Sequence, residues 1–392
     1  GYISGSLYLL PPSAPGAVTV SGAGSTWNAI GAGMGSYALH VGYRGPGTLH
    51  ILDGATVSSL AGWIGSAEGT SVAHVSGEGS SWTMFGDLLI GRFAGCHGIL
   101  TIEDGADVAS GRAFVGEGGN AQTGELGVGE VSVRGTGSQW TIQMTETPEL
   151  PYALRIGVSG DGTVSVAEGA RIRVNEGTGK VVLAETQGAS GTLVLGPPLN
   201  EPPGVPGTLE AAQIIGGGGT GGARLAFNNT TTYFLTVDRT LTGTPIVVSG
   251  STAVSLHGPG VVYFTAPQTY TGGTTINNNS LLVMRVNANI TGDVVNNGGL
   301  AYQNDLPVLR EVHGNISGTG QFFQTSVNGS VVRFFGTNTY TGGTTVNNGE
   351  LEAASEGALP QNTPYRMLGG TLDLFLWPLT MSRLEGTAGT IT

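Results

Sequence analysis

A motif of the form Ser-Gly-x-Gly-Ser-x-Trp occurs twice and nearly a third time, and each copy is followed by the same two further signatures. The copies are Ser21-Gly22-Ala23-Gly24-Ser25-Thr26-Trp27, Ser76-Gly77-Glu78-Gly79-Ser80-Ser81-Trp82 and Arg134-Gly135-Thr136-Gly137-Ser138-Gln139-Trp140. A Val-Gly or Ile-Gly step follows each, at Val41-Gly42, Ile90-Gly91 and Ile156-Gly157. The last signature is a strand-like stretch closing on an acidic-Gly-Ala turn: residues 47–57 (GTLHILDGATV), 98–108 (GILTIEDGADV) and 162–172 (GTVSVAEGARI). A chain that repeats itself at a fixed period builds a stack rather than a globule. The functional question therefore shifts from where a pocket lies to what surface the stack displays.

Composition agrees. Glycine supplies 70 of the 392 residues, against a usual share of about 7 %. Charged residues are 11 %, under half the roughly 25 % of ordinary proteins. Hydrophobic residues still make up 39 %, which sets the chain apart from disordered sequences. Many short strands joined by tight turns fit these figures, with glycine at turns because it accepts positive φ. The net charge of -12 repels phosphate backbones and argues against a nucleic-acid partner. No basic amphipathic stretch and no apolar run of about 18 residues suggest contact with a membrane or insertion into one. Residues 1–15 lack a basic n-region and no initiator Met opens the chain, so a piece of something longer is expected. Cys96 is the single cysteine, so no internal disulfide forms.

Strand alternation runs through the first block. Leu49 and Ile51 share a face, as do Leu100 and Ile102, and Val164 and Val166; period two marks one buried face. Trp27, Trp82 and Trp140 are 55 and 58 residues apart, room for two or three coils of about 20 residues. Residues 144–151 (MTETPELP) form an insertion in the third copy. Residues 196–206 (GPPLNEPPGVP), with five prolines, form a loop or kink, because proline cannot donate to a strand ladder. The glycine run at 216–222 is a second bend. Beyond it the block TYTGGTTINN at 269–278 recurs as TYTGGTTVNN at 339–348, and short strands recur at Gly207-Thr208-Leu209, Gly349-Glu350-Leu351 and Gly370-Thr371-Leu372. The paired asparagines are placed to stack as amide ladders. No helical apolar stripe is present. This reading divides the chain into coils over 1–195, junction loops over 196–222 and further coils over 223–392, forming one continuous rod.

The two TYTGGTT blocks and the GELEA and GGTLDL strands after them resemble the passenger-associated repeats of bacterial autotransporters (type V secretion). The first block resembles the strand-loop-strand repeats of large autotransporter adhesins. The resemblance implies an all-β fold, a right-handed parallel β-helix (a β-solenoid), displayed outside the outer membrane at the bacterial cell surface. It also implies adhesion to a host-cell receptor or glycan, or self-association leading to aggregation or biofilm. The chain stops inside the repeat array.

Chemistry is sparse. Glu103, Asp104 and Asp107 form the densest acidic cluster and read as a solvated turn; an acid pair for glycoside cleavage needs carboxyls about 5–10 Å apart across a groove. Of His40, His50, His74, His97, His257 and His313, only His97 adjoins a cysteine. Neighbours on a strand point to opposite faces, so Cys96-His97 is a poor chelate. No nucleophile elbow, phosphate loop or calcium nonapeptide is found. Trp27, Trp82 and Trp140 either form a sugar-stacking stripe outside or pack at a coil corner inside; their shared motif favours the inside. No catalytic, cofactor-binding or metal residue is assigned. The reading is a non-enzymatic adhesin passenger acting through many weak contacts, with loops 144–151 and 196–206 as candidate recognition elements. A polysaccharide-degrading β-helix and a non-binding stalk are the alternatives.

Overall fold

The computed structural model describes residues 2–4, 15–30, 38–43, 45–66, 68–119, 124–143, 153–218, 222–240, 243–327 and 329–392. They form two compact units, Gly1–Leu225 and Ala226–Thr392. Each is a β-solenoid in which successive turns of chain lay parallel strands on those of the turn before. The one helical element among the described residues is a 3-10 turn at Asn175–Gly177.

In the first unit every coil has three sides. The first carries strands such as Gly47–Leu52, Gly69–Ser76, Cys96–Glu103, Val128–Val133 and Asp161–Val166. The second carries Thr56–Ser59, Ser81–Met84, Asp107–Ser110, Gln139–Ile142 and Arg171–Val174. The third carries Ala38–Val41, Ala61–Ile64, Leu88–Ile90, Ala113–Val115 and Leu154–Ile156. Alternation buries one face of each strand, so Val20, Ile51, Val75, Ile102, Val133 and Val166 stack as successive partners inside the first side.

The motif tryptophans lie inside. On the second side Trp27, Val57, Trp82, Val108, Trp140, Ile172 and Leu209 are consecutive rungs of one ladder. The sequence repeat is therefore two coils long, one bearing the bulky indole and the next a β-branched residue from the acidic-Gly-Ala signature. Large beside small lets neighbouring rungs interdigitate at interior packing density. The Ser-Gly-x-Gly-Ser and Asp-Gly-Ala segments are two solutions to one corner. Asp53, Asp104 and Glu168 adopt φ of 56°, 56° and 55°, the left-handed region that aspartate tolerates better than most residues. The flanking corners bind the two aspartates. Ser21 Oγ donates to Asp53 at 2.7 Å and Ser76 Oγ to Asp104 at 2.9 Å. In return, the N–H groups of Gly54 and Gly105 donate to Ser80 and Ser138 Oγ, both at 2.9 Å. Asp-Gly here makes a coil corner, not a hairpin.

The second unit has tighter coils. Val262, Leu282, Leu300, Phe322, Thr344 and Tyr365 follow one another as partners, with 18 to 22 residues between rungs. In both TYTGGTT blocks the tyrosine turns inward and its hydroxyl meets the threonine four residues on: Tyr270 with Thr274 at 2.6 Å, Tyr340 with Thr344 at 2.7 Å. The copies do not occupy equivalent sides. The strand Thr274–Ile276 pairs with Val294–Asn296, whereas Thr344–Asn348 pairs with Gln321–Thr325 in the neighbouring sheet. The 70-residue separation thus advances three coils and one further side. The paired asparagines do not build the expected amide ladder. Asn277 bonds the ring of His257 at 3.1 Å, and Asn348 Oδ1 accepts from the adjacent Gly349 N–H. Other amides and carboxylates bridge coils through backbone groups: Asp293 accepts from Asn315 N–H at 2.8 Å, and Asn315 from Thr337 N–H at 2.7 Å.

Candidate functional site

The residues singled out by sequence fall mostly into structural roles. Glu103 accepts from His74 Nε2 and from Arg134 Nε, each at 2.7 Å. Burial raises its pKa, but the hydrogen bonds and charges of Arg134 and His74 outweigh that and leave the carboxyl below its ordinary value. Asp104 is held by Ser76. Cys96 is buried and its thiol donates to Phe93 O at 2.7 Å, while His97 points outward to Glu130 at 3.1 Å. Burial pushes the Cys96 thiol up, against the thiolate that a reactive cysteine needs. Among the described residues no group of three His, Cys, Asp or Glu side chains is placed to hold a metal ion. Of the two candidate loops, 144–151 lies outside the described residues. Loop 196–206 folds back along the previous corner, where Glu168 N–H donates to Val205 O at 2.7 Å, and leaves Leu199 and Val205 exposed.

The outward surface of the third side of the first unit differs from the other two. Outward positions on the first side include His50, His74, Thr101 and Ser132. On the second they include Ser58, Thr83, Ala109 and Thr141. On the third side the corresponding ladder reads His40, Trp63, Leu89, Phe114, Arg155. His40 sits edge-on to Trp63 (ring centroids 4.3 Å) and to Tyr43 (4.8 Å). The Arg92 guanidinium lies 3.6 Å from the Trp63 ring centroid and 4.8 Å from that of Phe93. Such stacking of a partly desolvated cation on an indole contributes about 0.5–2 kcal/mol. Further along, Arg112 and Arg155 flank Phe114 at 5.4 and 5.2 Å.

Among the described residues, Arg92, Arg112 and Arg155 on this face each have a carboxylate. Arg112 grips Asp87 through two bonds of 3.0 and 2.6 Å. Arg155 grips Glu185 in the same forked way, its Nε bond being 2.6 Å, and Arg92 faces Glu117 at 3.6 Å. Burial raises the Glu117 carboxyl; the charges of Arg92 and Arg155 oppose the rise and Asp87 adds to it. His40 is pushed down to about 4, mainly by burial and then by the Arg92 charge, so it is neutral near pH 7 and can accept or donate a hydrogen bond.

No protein-family model matches the chain, and no solved structure matches it. One curated protein is similar to it: the adhesin BmaC autotransporter of Brucella suis biovar 1 (strain 1330), 26% identical over 292 residues. That distant relative is an autotransporter adhesin. The match takes in 72% of this chain and spans 8% of the relative's length.

Trp63 lies outside the Ser-Gly-x-Gly-Ser-x-Trp context, so no repeat marks it. The available signal was alternation: in Ala61-Gly62-Trp63-Ile64, Gly62 and Ile64 face the core, which leaves the indole outside. Arg92, Phe93 and Glu117 come from turns after third-side strands, and only the stacking of coils brings them beside Trp63. Chemically the described residues of this face offer aromatic rings and planar hydrogen-bonding groups, with Arg92, Arg112 and Arg155 each paired to a carboxylate.

Proposed function

We propose that this chain is part of the exported passenger of an autotransporter adhesin, displayed at the bacterial cell surface, and that it acts by attachment rather than by catalysis. The observation that carries the reading is the cluster of rings on the third side, where Trp63 faces outward beside His40 and where Tyr43 and Phe93 are half-exposed. The similarity to a protein named as an autotransporter adhesin supports it. So does the fate of the acidic cluster, since Glu103 is committed to His74 and Arg134. The partner is a host-cell receptor or glycan, or a like chain on a neighbouring cell. Many weak contacts on a rigid stack add up to useful avidity when many copies are displayed together.

The test is adherence. Beads coated with the folded chain are expected to bind cultured host cells or to clump with one another, and beads coated with heat-denatured chain to do neither. Folded-chain beads that stay dispersed and unattached would point to a stalk. New reducing ends or unsaturated products after incubation with surface polysaccharides would point to an enzyme.

A further inference from the structure

We propose that His40, Tyr43, Trp63, Arg92, Phe93 and Glu117 form a binding site for a short, uncharged pyranose glycan. The proposal deepens the adhesive reading above and rests on it in taking the ligand from a cell surface.

Three observations lead there. The first is that the rings are not needed by the core beneath them. The inward residues of these coils are Leu39, Val41, Ile64, Leu88 and Ile90, all buried, and Trp63 stands on the opposite face of its strand. Tyr43 and Phe93 are 48% and 49% exposed. An aromatic side chain buries about 150–250 Å² when packed, so leaving these rings half in water forgoes stability that an inward position would supply.

The second is charge. Arg92 faces Glu117, Arg112 is forked onto Asp87 and Arg155 onto Glu185. An anionic ligand would have to displace one of these carboxylates, and a cationic ligand one of the guanidiniums; each exchange strands a half-buried charge. A neutral ligand leaves all three pairs in place. A pyranose matches the rest of the chemistry. Its C–H face packs on an aromatic ring, and its hydroxyls, each donor and acceptor, exchange hydrogen bonds with planar groups at the rim. Arg92 N–H, the Glu117 carboxyl and the neutral His40 ring supply such groups beside Trp63.

The third is extent. The half-exposed rings belong to the coils of strands Ala38–Val41, Ala61–Ile64 and Leu88–Ile90. Three strands span about 10 Å at the usual inter-strand spacing. Further along the ladder Leu89 and Phe114 are only 8% exposed, so the surface closes. The site accommodates one or two sugar rings, not a long polymer.

The experiment titrates the full chain with glucose- and N-acetylglucosamine-based mono- to tetrasaccharides and a neutral-glycan array, with heparin as the anionic counterpart. Neutral ligands are expected to bind, with affinity levelling off at the disaccharide and changing less than about twofold at about 0.5 M salt, where exposed charges are screened. Tyr43→Ala and Phe93→Ala are each expected to weaken binding about 3- to 10-fold, as loss of an aromatic contact does. Arg92→Lys, which keeps the charge but loses the flat stack on Trp63, should weaken it comparably. All three variants should keep a single cooperative melt lowered by no more than the loss of about 0.5–2 kcal/mol from one such contact, which separates loss of the site from loss of the fold. No binding to any neutral glycan, salt-sensitive binding to heparin alone, or variants that bind like the parent would overturn the site. If coated beads adhere to cells equally well with the parent and the three variants, the site fails while the adhesive reading stands. If oligosaccharides bind as expected but beads never adhere, the site stands and the adhesive reading fails.

Discussion

Trp82 and Trp140 occupy equivalent rungs two coils apart, and both are fully buried. Only one finds a polar partner. Trp82 Nε1 donates to Ser59 Oγ at 3.1 Å. Ser110 stands in the matching place beneath Trp140, yet the Ser110 hydroxyl and the Trp140 N–H are both buried without a hydrogen bond. The two indoles displace similar volumes, so replacing each by phenylalanine compares the polar terms. Trp82→Phe breaks a bond and orphans Ser59, at about 1–3 kcal/mol beyond the change in packing; Trp140→Phe removes an N–H that is already unpaired. Trp82→Phe is therefore expected to be the more destabilising by at least about 1 kcal/mol, measured as the difference in urea midpoints. Equal losses would show that the hydrogen bond contributes nothing. Both alanine variants should be worse, at about 3–5 kcal/mol, because each leaves a cavity between β-branched neighbours.

At the scale of the coil, much was legible because strands, corners and repeats are local. Alternation in GTLHIL and GILTIE marks the buried face, and the acidic-Gly-Ala signature marks the turn that closes each strand. What stayed hidden depends on stacking. That Trp27 and Val57 are neighbours in one ladder follows only from register. The two TYTGGTT copies look equivalent in sequence but differ by one side of the coil, because the tyrosine–threonine bond closes either corner. The surface around Trp63 was hidden for the same reason: its members lie in four coils and share no motif. Stacking also explains the glycines at coil entry. Gly98, Gly129, Gly162 and Gly191 are successive partners on the first side. A Cβ on Gly129 would stand 2.4 Å from Gly116 N and 2.6 Å from Ile90 O. Backbone cannot give way there, so Gly129→Val is expected to cost about 3 kcal/mol or more, the upper end of overpacking. Gly24 has positive φ but open space around its missing Cβ. Gly24→Ala should cost only the left-handed strain of about 1–2 kcal/mol. Equilibrium unfolding of the pair checks the ordering; a Gly129→Val chain as stable as Gly24→Ala would mean that the coils are not in this register.

Across the molecule, burial shifts one imidazole in the first unit and four phenols in the second, with opposite consequences for stability. In the first unit His40 titrates near 4 instead of 6.5 because it is buried and faces Arg92. Between those values the unfolded chain takes up a proton that the folded chain refuses, so stability falls as pH drops through the window. Glu103, held below its ordinary value, extends the loss to still lower pH, where its bonds to Arg134 and His74 are broken by protonation. In the second unit Tyr270, Tyr302, Tyr340 and Tyr365 are buried and, chiefly for that reason, held well above the ordinary value of 10.0. Here the sign reverses. The folded chain keeps protons that the unfolded chain releases, so the stability is intact below pH 10 and lost as pH rises beyond it. The residues supply their own reporters: four of the five tryptophans belong to the first unit and six of the eleven tyrosines to the second. Thermal melts followed by tryptophan emission should shift downward between about pH 6.5 and pH 4, the interval set by the ordinary and perturbed imidazole values. Melts followed by tyrosine absorbance should shift downward above about pH 10, where unfolded tyrosine ionises. His40→Gln should flatten the upper part of the acid shift and leave the alkaline one unchanged. A tryptophan-detected melt that is flat down to about pH 4, where unfolded histidine is fully charged, would mean that His40 is not buried against Arg92, and the proposed glycan surface would lose its neutral imidazole.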